Sequence, residues 1–247
     1  MIVVTTAPRK EPTLEECLLS LQDCGWEDIV VCAEPDSPLP SLDYTLVQNP
    51  TRLGTWRNWA ASVRYALEHT TESDPYIMTV QDDAYFHPES KQFLESQMWP
   101  ENCGFLSLYT PRHYTVIRKT GELRPVGINR IYTKSLWGAV ALAFPRQVLK
   151  EISELPTMDH WLGATPRSKD PAVFQKRRDN PETIANSDTA IGKMMNTKKY
   201  AMYFIDPSPV THIAKYSSIS GHGSNDGNRN AYRAADHSLP LETQVFP

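Results

Sequence analysis

The chain has 247 residues, 25 Lys+Arg against 29 Asp+Glu, a formal net charge of −4, 40% hydrophobic residues and 20 prolines. That balance excludes a disordered or fibrous chain, and it leaves no overall field to draw the protein onto nucleic acid or an anionic membrane, a local basic patch aside. The most apolar stretch, Leu136 to Phe144, is about half the roughly 20 residues a membrane helix needs, and Pro145 and Arg146 end it. Cys17, Cys24, Cys32 and Cys103 show neither a C-x-x-C pair nor zinc-type spacing. They read as small buried hydrophobes in a reducing compartment, and a cytoplasmic chain, or one already trimmed of a leader, is expected.

In chain order the first half alternates strand-like and helix-like segments, the pattern of helices covering a mostly parallel sheet. Ile2 to Thr6 is the first strand. Thr13-Leu14-Glu15-Glu16 forms a capping-box sequence, and Leu14, Cys17, Leu18 and Leu21 mark a helical face that ends near Gly25. Strands follow at Asp28 to Ala33 and Tyr44 to Val47. From Thr55 the positions Trp56, Trp59, Ala60, Val63 and Leu67 keep helical spacing. Tyr76 to Val80 is a strand that runs directly into Gln81-Asp82-Asp83.

Beyond it the spacing predicts a helix from about Pro88, a strand at Gly104 to Tyr109, a hairpin near Lys119 to Glu122, a strand at Ser135 to Phe144, and a helix at Pro145 to Glu154. Thr165 to Thr183, charged and proline-containing, reads as a long loop of the kind used as a lid or binding element. A helix at Asp188 to Met195 and a strand at Tyr200 to Ile205 close the regular part. One domain is expected over 1–247, with a nucleotide-binding half at 1–110, an acceptor-binding half at 111–215 and an aperiodic, flexible tail or lid at 216–247.

Three features carry chemistry. Asp82 and Asp83 end a hydrophobic strand, where open α/β sheets place their ligands, and a hard divalent ion bound to a diphosphate needs only one or two carboxylates. Taken alone the pair equally fits a solvated acidic turn. His212 follows the last strand, and an imidazole suits an Mn²⁺-like ion better than Ca²⁺ or Mg²⁺; a packing histidine is the plain alternative. Asp188 in Asn186-Ser187-Asp188 sits where a carboxylate caps a helix, and the same placement would hold it rigidly over a cleft as a base.

The order of these elements resembles the GT-A type of glycosyltransferase. Val80-Gln81-Asp82-Asp83-Ala84 is similar to the EDD version of that family's acidic motif, Leu136-Trp137-Gly138-Ala139-Val140 to its glycine loop along the donor sugar, Asn186-Ser187-Asp188 to its x-E-D position, and Val210 to Ser218 to its late histidine segment. Gln81 departs from the acidic first residue of the motif, and Ala214 stands where many relatives carry Gly. The resemblance implies a Rossmann-like, mostly parallel sheet flanked by helices, and transfer of a sugar from a nucleoside diphosphate sugar, expected to be a UDP-sugar, to a hydroxyl. It implies Mn²⁺ (or Mg²⁺) held by Asp83 and His212, Asp188 as the inverting base, and donor contacts from Thr5, Thr6, Pro8, Arg9, Glu34 or Asp36, Arg52, Arg57, Asn58, Asp82, Gly138 and Lys215. The acceptor is left open among saccharides, lipids, proteins and modified bases of viral DNA. A sugar-phosphate nucleotidyltransferase and an inactive carbohydrate-binding module of the same fold are the alternatives; Thr5 to Arg9 lacks the glycine-rich loop of the former.

Overall fold

A computed structural model describes residues 1–117, 119–132, 136–160, 186–214, 231 and 233–246. The strands are β1 (Ile2–Thr6), β2 (Ile29–Ala33), β3 (Thr45–Gln48), β4 (Tyr76–Gln81), β5 (Ala84–Phe86), β6 (Cys103–Ser107), β7 (Gly127–Arg130), β8 (Ala141–Pro145), β9 (Ala201–Asp206) and β10 (Val210–His212). The helices are α1 (Leu14–Asp23), α2 (Gly54–His69), α3 (Ser90–Ser96), α4 (Arg112–Thr115), α5 (Arg146–Ser153), α6 (Thr157–His160), α7 (Ser187–Lys198) and α8 (Leu241–Val245).

Eight strands form one sheet in the order β3-β2-β1-β4-β8-β6-β9-β7. β1 pairs in parallel with β2 and β4, β2 with β3, and β6 with β9, whereas β8 runs antiparallel to β4 and β6, and β7 to β9. Strand side chains alternate between faces, so each buried strand feeds two cores. Ile2, Val4, Val31 and Ala33 join the layer of α1; Val3, Val30 and Cys32 join the layer of α2, α5 and α7. The mostly parallel α/β sheet flanked by helices is the fold class the sequence predicts. All four cysteines are buried and unpaired, and among the described residues no helix is long and apolar enough to cross a membrane.

The topology sets the position of a crevice. The chain builds β1, β2 and β3 outward to one edge, then crosses back to lay β4 on the other side of β1. Such a reversal leaves the carboxyl ends of β1 and β4 without a crossing loop above them.

Four expectations change. Thr13 precedes α1, but its hydroxyl makes no capping bond. The strand expected from Ser135 begins only at Ala141, because Gly138 and Ala139 direct their N–H groups to a side chain rather than to a neighbouring strand. Two short strands, β5 and β10, form a separate antiparallel pair. The tail is not aperiodic throughout: α8 buries Leu241 and Val245, its first free N–H is accepted by the Glu89 carboxylate at 2.7 Å, and the Arg233 guanidinium binds buried Asp206. The loop expected at Thr165 to Thr183, Lys215 and residues 216–230 lie outside the described residues.

Candidate functional site

The acidic pair follows from β4 and is locked by β1. Asp82 donates its N–H to the Thr5 carbonyl, at 3.2 Å, and its carboxylate accepts the Thr6 hydroxyl at 2.5 Å. Arg9, on the loop after β1, spans both acids. One terminal nitrogen binds Asp82 and the other donates to Asp83 Oδ2 at 2.9 Å. The Arg9, Asp82 and Asp83 side chains are 6%, 3% and 8% exposed, so this is a buried charge cluster rather than a solvated acidic turn.

His212 reaches the cluster by strand pairing. β5 begins one residue after Asp83, β10 ends at His212, and the antiparallel register sets His212 opposite Ala84. Paired strands lie only about 5 Å apart. Ile213 therefore donates its N–H to the Asp83 carbonyl at 2.9 Å, and His212 Nε2 lies 3.1 Å from Asp83 Oδ2. Both strands are too short for hydrophobic periodicity to reveal them. Burial opposes ionisation of Asp83, but His212 and Arg9 outweigh it and hold this carboxyl well below the usual range. Burial pushes Asp82 up to about 7, with the Asp83 charge adding to the rise and Arg9 opposing it.

A second carboxylate is held without charge. The side chain of Asn186 caps α7, accepting the N–H groups of Asp188 and Thr189 at 2.9 and 3.4 Å, so the helix end does not need the Asp188 carboxylate. Its two oxygens instead accept the N–H groups of Gly138, at 2.8 Å, and Ala139, at 3.0 Å. Burial raises its pKa, and these two bonds offset only part of the rise. The loop around it is fixed at further points: the Trp137 N–H donates to the Tyr114 hydroxyl at 2.6 Å, and Gly138 adopts φ +75 directly over the Tyr109 ring. A Cβ at position 138 would stand 2.6 Å from that ring, which gives this glycine both a conformational and a steric reason.

Tyr109 joins the two centres. Its ring lies under Gly138, its centroid is 6.4 Å from that of His212, and it forms an isolated bridge with Val210 at the start of β10. No motif in the sequence singles it out for this place.

The remaining expected donor contacts sort differently. The Thr5 hydroxyl donates to the Val80 carbonyl at 3.3 Å, and Pro8 is a partly exposed neighbour of Arg9. Glu34, 2% exposed, accepts the N–H groups of Leu53 and Gly54, both at 2.8 Å, and so caps α2. Asp36 is exposed on a turn with φ 62. Asn58, expected either on donor or on exposed helix surface, is 3% exposed and ties the strands together, donating to the Cys32 carbonyl at 3.1 Å and accepting from Asn49 at 3.0 Å. Arg52 and Arg57 are exposed at the end of α2 that Glu34 caps.

Asp83 and His212 are side chains of the kind a divalent ion takes. Asp83 Oδ1 and His212 Nδ1 are buried without a hydrogen-bond partner among the described residues, and a carboxylate with an imidazole is an adequate protein share when diphosphate and water complete the shell. Among the described residues no group of three or more His, Cys, Asp or Glu side chains is placed to hold a metal ion, so the protein share is these two side chains.

No family model matches the chain, and no curated protein does. Solved structures do. The TarS 1-349 fragment of S. aureus in complex with UDP-GlcNAc is similar at TM-score 0.51 and 12% identity, over 85% of this chain and 56% of that one. The same fragment described without that compound gives 0.50 at 12% identity, over 85% and 59%. The chain thus spans less than two thirds of the TarS fragment. A weaker likeness, TM-score 0.44 at 10% identity over 84% of this chain and 88% of the other, links it to a nucleotidyl transferase from Methanothermobacter thermautotroptrophicus. At such identities the likeness is one of architecture alone, a large mostly parallel sheet flanked by helices.

Proposed function

We propose that the chain is a metal-dependent glycosyltransferase that moves a sugar from a nucleoside diphosphate sugar, a UDP-sugar by preference, to a hydroxyl acceptor. The observation that carries this reading is the meeting of Arg9, Asp83 and His212, from three distant segments, at the crevice where β1 and β4 end. TarS, of similar architecture, has been captured with UDP-GlcNAc, which supports the choice of donor.

Asp83 and His212 would hold Mn²⁺ or Mg²⁺, which when bound supplies positive charge where the departing diphosphate gathers negative charge. Arg9 carries a guanidinium fork that matches phosphate oxygens. Asp188 is the base. Each of its oxygens gives one lone pair to a backbone N–H and keeps another, so it can accept the proton of an acceptor hydroxyl without leaving its seat. Burial has raised its proton affinity above that of an ordinary aspartate, which favours proton transfer as the acceptor oxygen bonds to the anomeric carbon. A base fixed in the first turn of α7, acting once in a single displacement, gives inversion. Gly138 lets the backbone approach the donor sugar where a side chain would meet Tyr109.

The test is a thermal-shift screen of UDP-, GDP-, CDP- and ADP-sugars with and without Mn²⁺, followed by detection of released nucleoside diphosphate. One donor is expected to raise the melting temperature beyond the metal-only control and to be turned over. Stabilisation with no turnover, by transfer or by hydrolysis, would favour a binding module; no stabilisation by any donor would remove the transferase reading.

A further inference from the structure

The guanidinium of Arg9 occupies the position at which the metal-binding reading needs a vacant carboxylate. Its fork takes one oxygen of Asp82 and Oδ2 of Asp83, and His212 Nε2 approaches the same Oδ2. Thr6 holds the other oxygen of Asp82. Among the described residues, Asp83 Oδ1, His212 Nδ1 and Arg9 Nε are buried and without a hydrogen-bond partner. A divalent ion arriving at Asp83 and His212 would meet the guanidinium across one oxygen atom, and like charges at such separations repel by several kcal/mol even at an effective dielectric constant of about 20. A diphosphate changes the balance, because its oxygens offer the fork a bidentate partner as good as the carboxylates. Arg9 stands on the connection from Ala7 to Thr13, outside β1 and α1, which allows it to follow that partner.

We infer that Arg9 is a resident counter-cation of the acidic pair, drawn off Asp83 by the diphosphate of the donor, so that tight metal binding requires nucleotide. This rests on the donor-site reading above and adds an order of binding to it.

Free Mn²⁺, read by electron paramagnetic resonance in titrations of the full chain, tests this without turnover. With wild-type protein, UDP, GDP or CDP is expected to tighten Mn²⁺ binding, relative to the same nucleotide without protein, on the order of tenfold or more. In Arg9→Gln the carboxylates are left unneutralised, so Mn²⁺ alone should bind about as tightly as it does to wild type with nucleotide, and nucleotide should add little. Arg9→Lys, which keeps the charge and loses the fork, should retain weak binding of metal alone; it also answers the question if Arg9→Gln does not fold. Equal Mn²⁺ affinity of wild type with and without nucleotide, or unchanged affinity in Arg9→Gln, overturns the inference and leaves the donor site standing. Absence of Mn²⁺ binding in every protein under every condition overturns both.

Discussion

The two carboxylate centres of the crevice are stabilised by different means. Asp82 and Asp83 are buried among charges, with Arg9 across both and His212 beside one. Asp188 is held by neutral dipoles, the N–H groups of Gly138 and Ala139. Full charges pull Asp83 below the ordinary carboxylate range, whereas dipoles leave Asp188 above it. A permanently ionised group suits the holding of a cation, and a group with raised proton affinity suits the removal of a proton.

The substitutions that break this comparison most severely are Asp83→Ala and His212→Ala, each expected to abolish the Mn²⁺-dependent rise in melting temperature. Asp188→Asn comes next. Turnover should fall by about 10² to 10⁴ while donor and Mn²⁺ binding stay within a few-fold. Asparagine presents an NH₂ to one of the two backbone N–H groups, so a stability loss of about 1–3 kcal/mol in urea unfolding should accompany the loss of rate. Gly138→Ala, which forces a side chain into a left-handed position over Tyr109, should cost about 2–4 kcal/mol and lower turnover by shifting the Gly138 and Ala139 N–H groups that seat Asp188.

The pH dependence of stability sharpens the contrast inside the pair. Asp83 has a depressed folded pKa, so its contribution is present above about pH 4, the unfolded carboxylate value, and is lost as pH falls further. Asp82, pushed up to about 7 chiefly by burial, acts with the opposite sign: its contribution is present below about pH 4 and is lost as pH rises toward 7. Melting temperature recorded from pH 3 to 8 should therefore lose its acid limb in Asp83→Asn and flatten between pH 4 and 7 in Asp82→Asn. The smallest effect is expected at Glu34, a carboxylate held by backbone dipoles like Asp188 but enclosed. Glu34→Ala should cost about 1–2 kcal/mol through the lost cap of α2, with little change in turnover per folded molecule.

The sheet was legible because its strands are buried on both faces and therefore read as continuous apolar runs at Ile2, Ile29 and Tyr76. The positions of Asp83, Asp188 and His212 could be marked from strand and helix ends. Their environment could not. The three residues of β5 and of β10 are too short for a period, yet their pairing is what brings His212 to Asp83. Asp188 is the cap expected from the sequence, whereas the helix is capped by Asn186 two residues earlier, which only the geometry shows. Glu34 and Asn58 are expected as donor contacts from the resemblance; in the fold Glu34 accepts the N–H groups that open α2, and Asn58 donates to the Cys32 carbonyl. The fork of Arg9 on both acids depends on how the loop after β1 folds back, which no local pattern encodes.

The central claim is that Asp83 and His212 share one cation at the diphosphate of a nucleotide donor. A crystal grown with UDP and Mn²⁺ and measured at the manganese absorption edge tests it most directly. The account predicts an anomalous peak at coordination distance from a carboxylate oxygen of Asp83 and a ring nitrogen of His212, with the diphosphate on its other side and Arg9 turned from Asp83 toward the phosphates. Manganese bound elsewhere, or nucleotide bound away from the ends of β1 and β4, would contradict it.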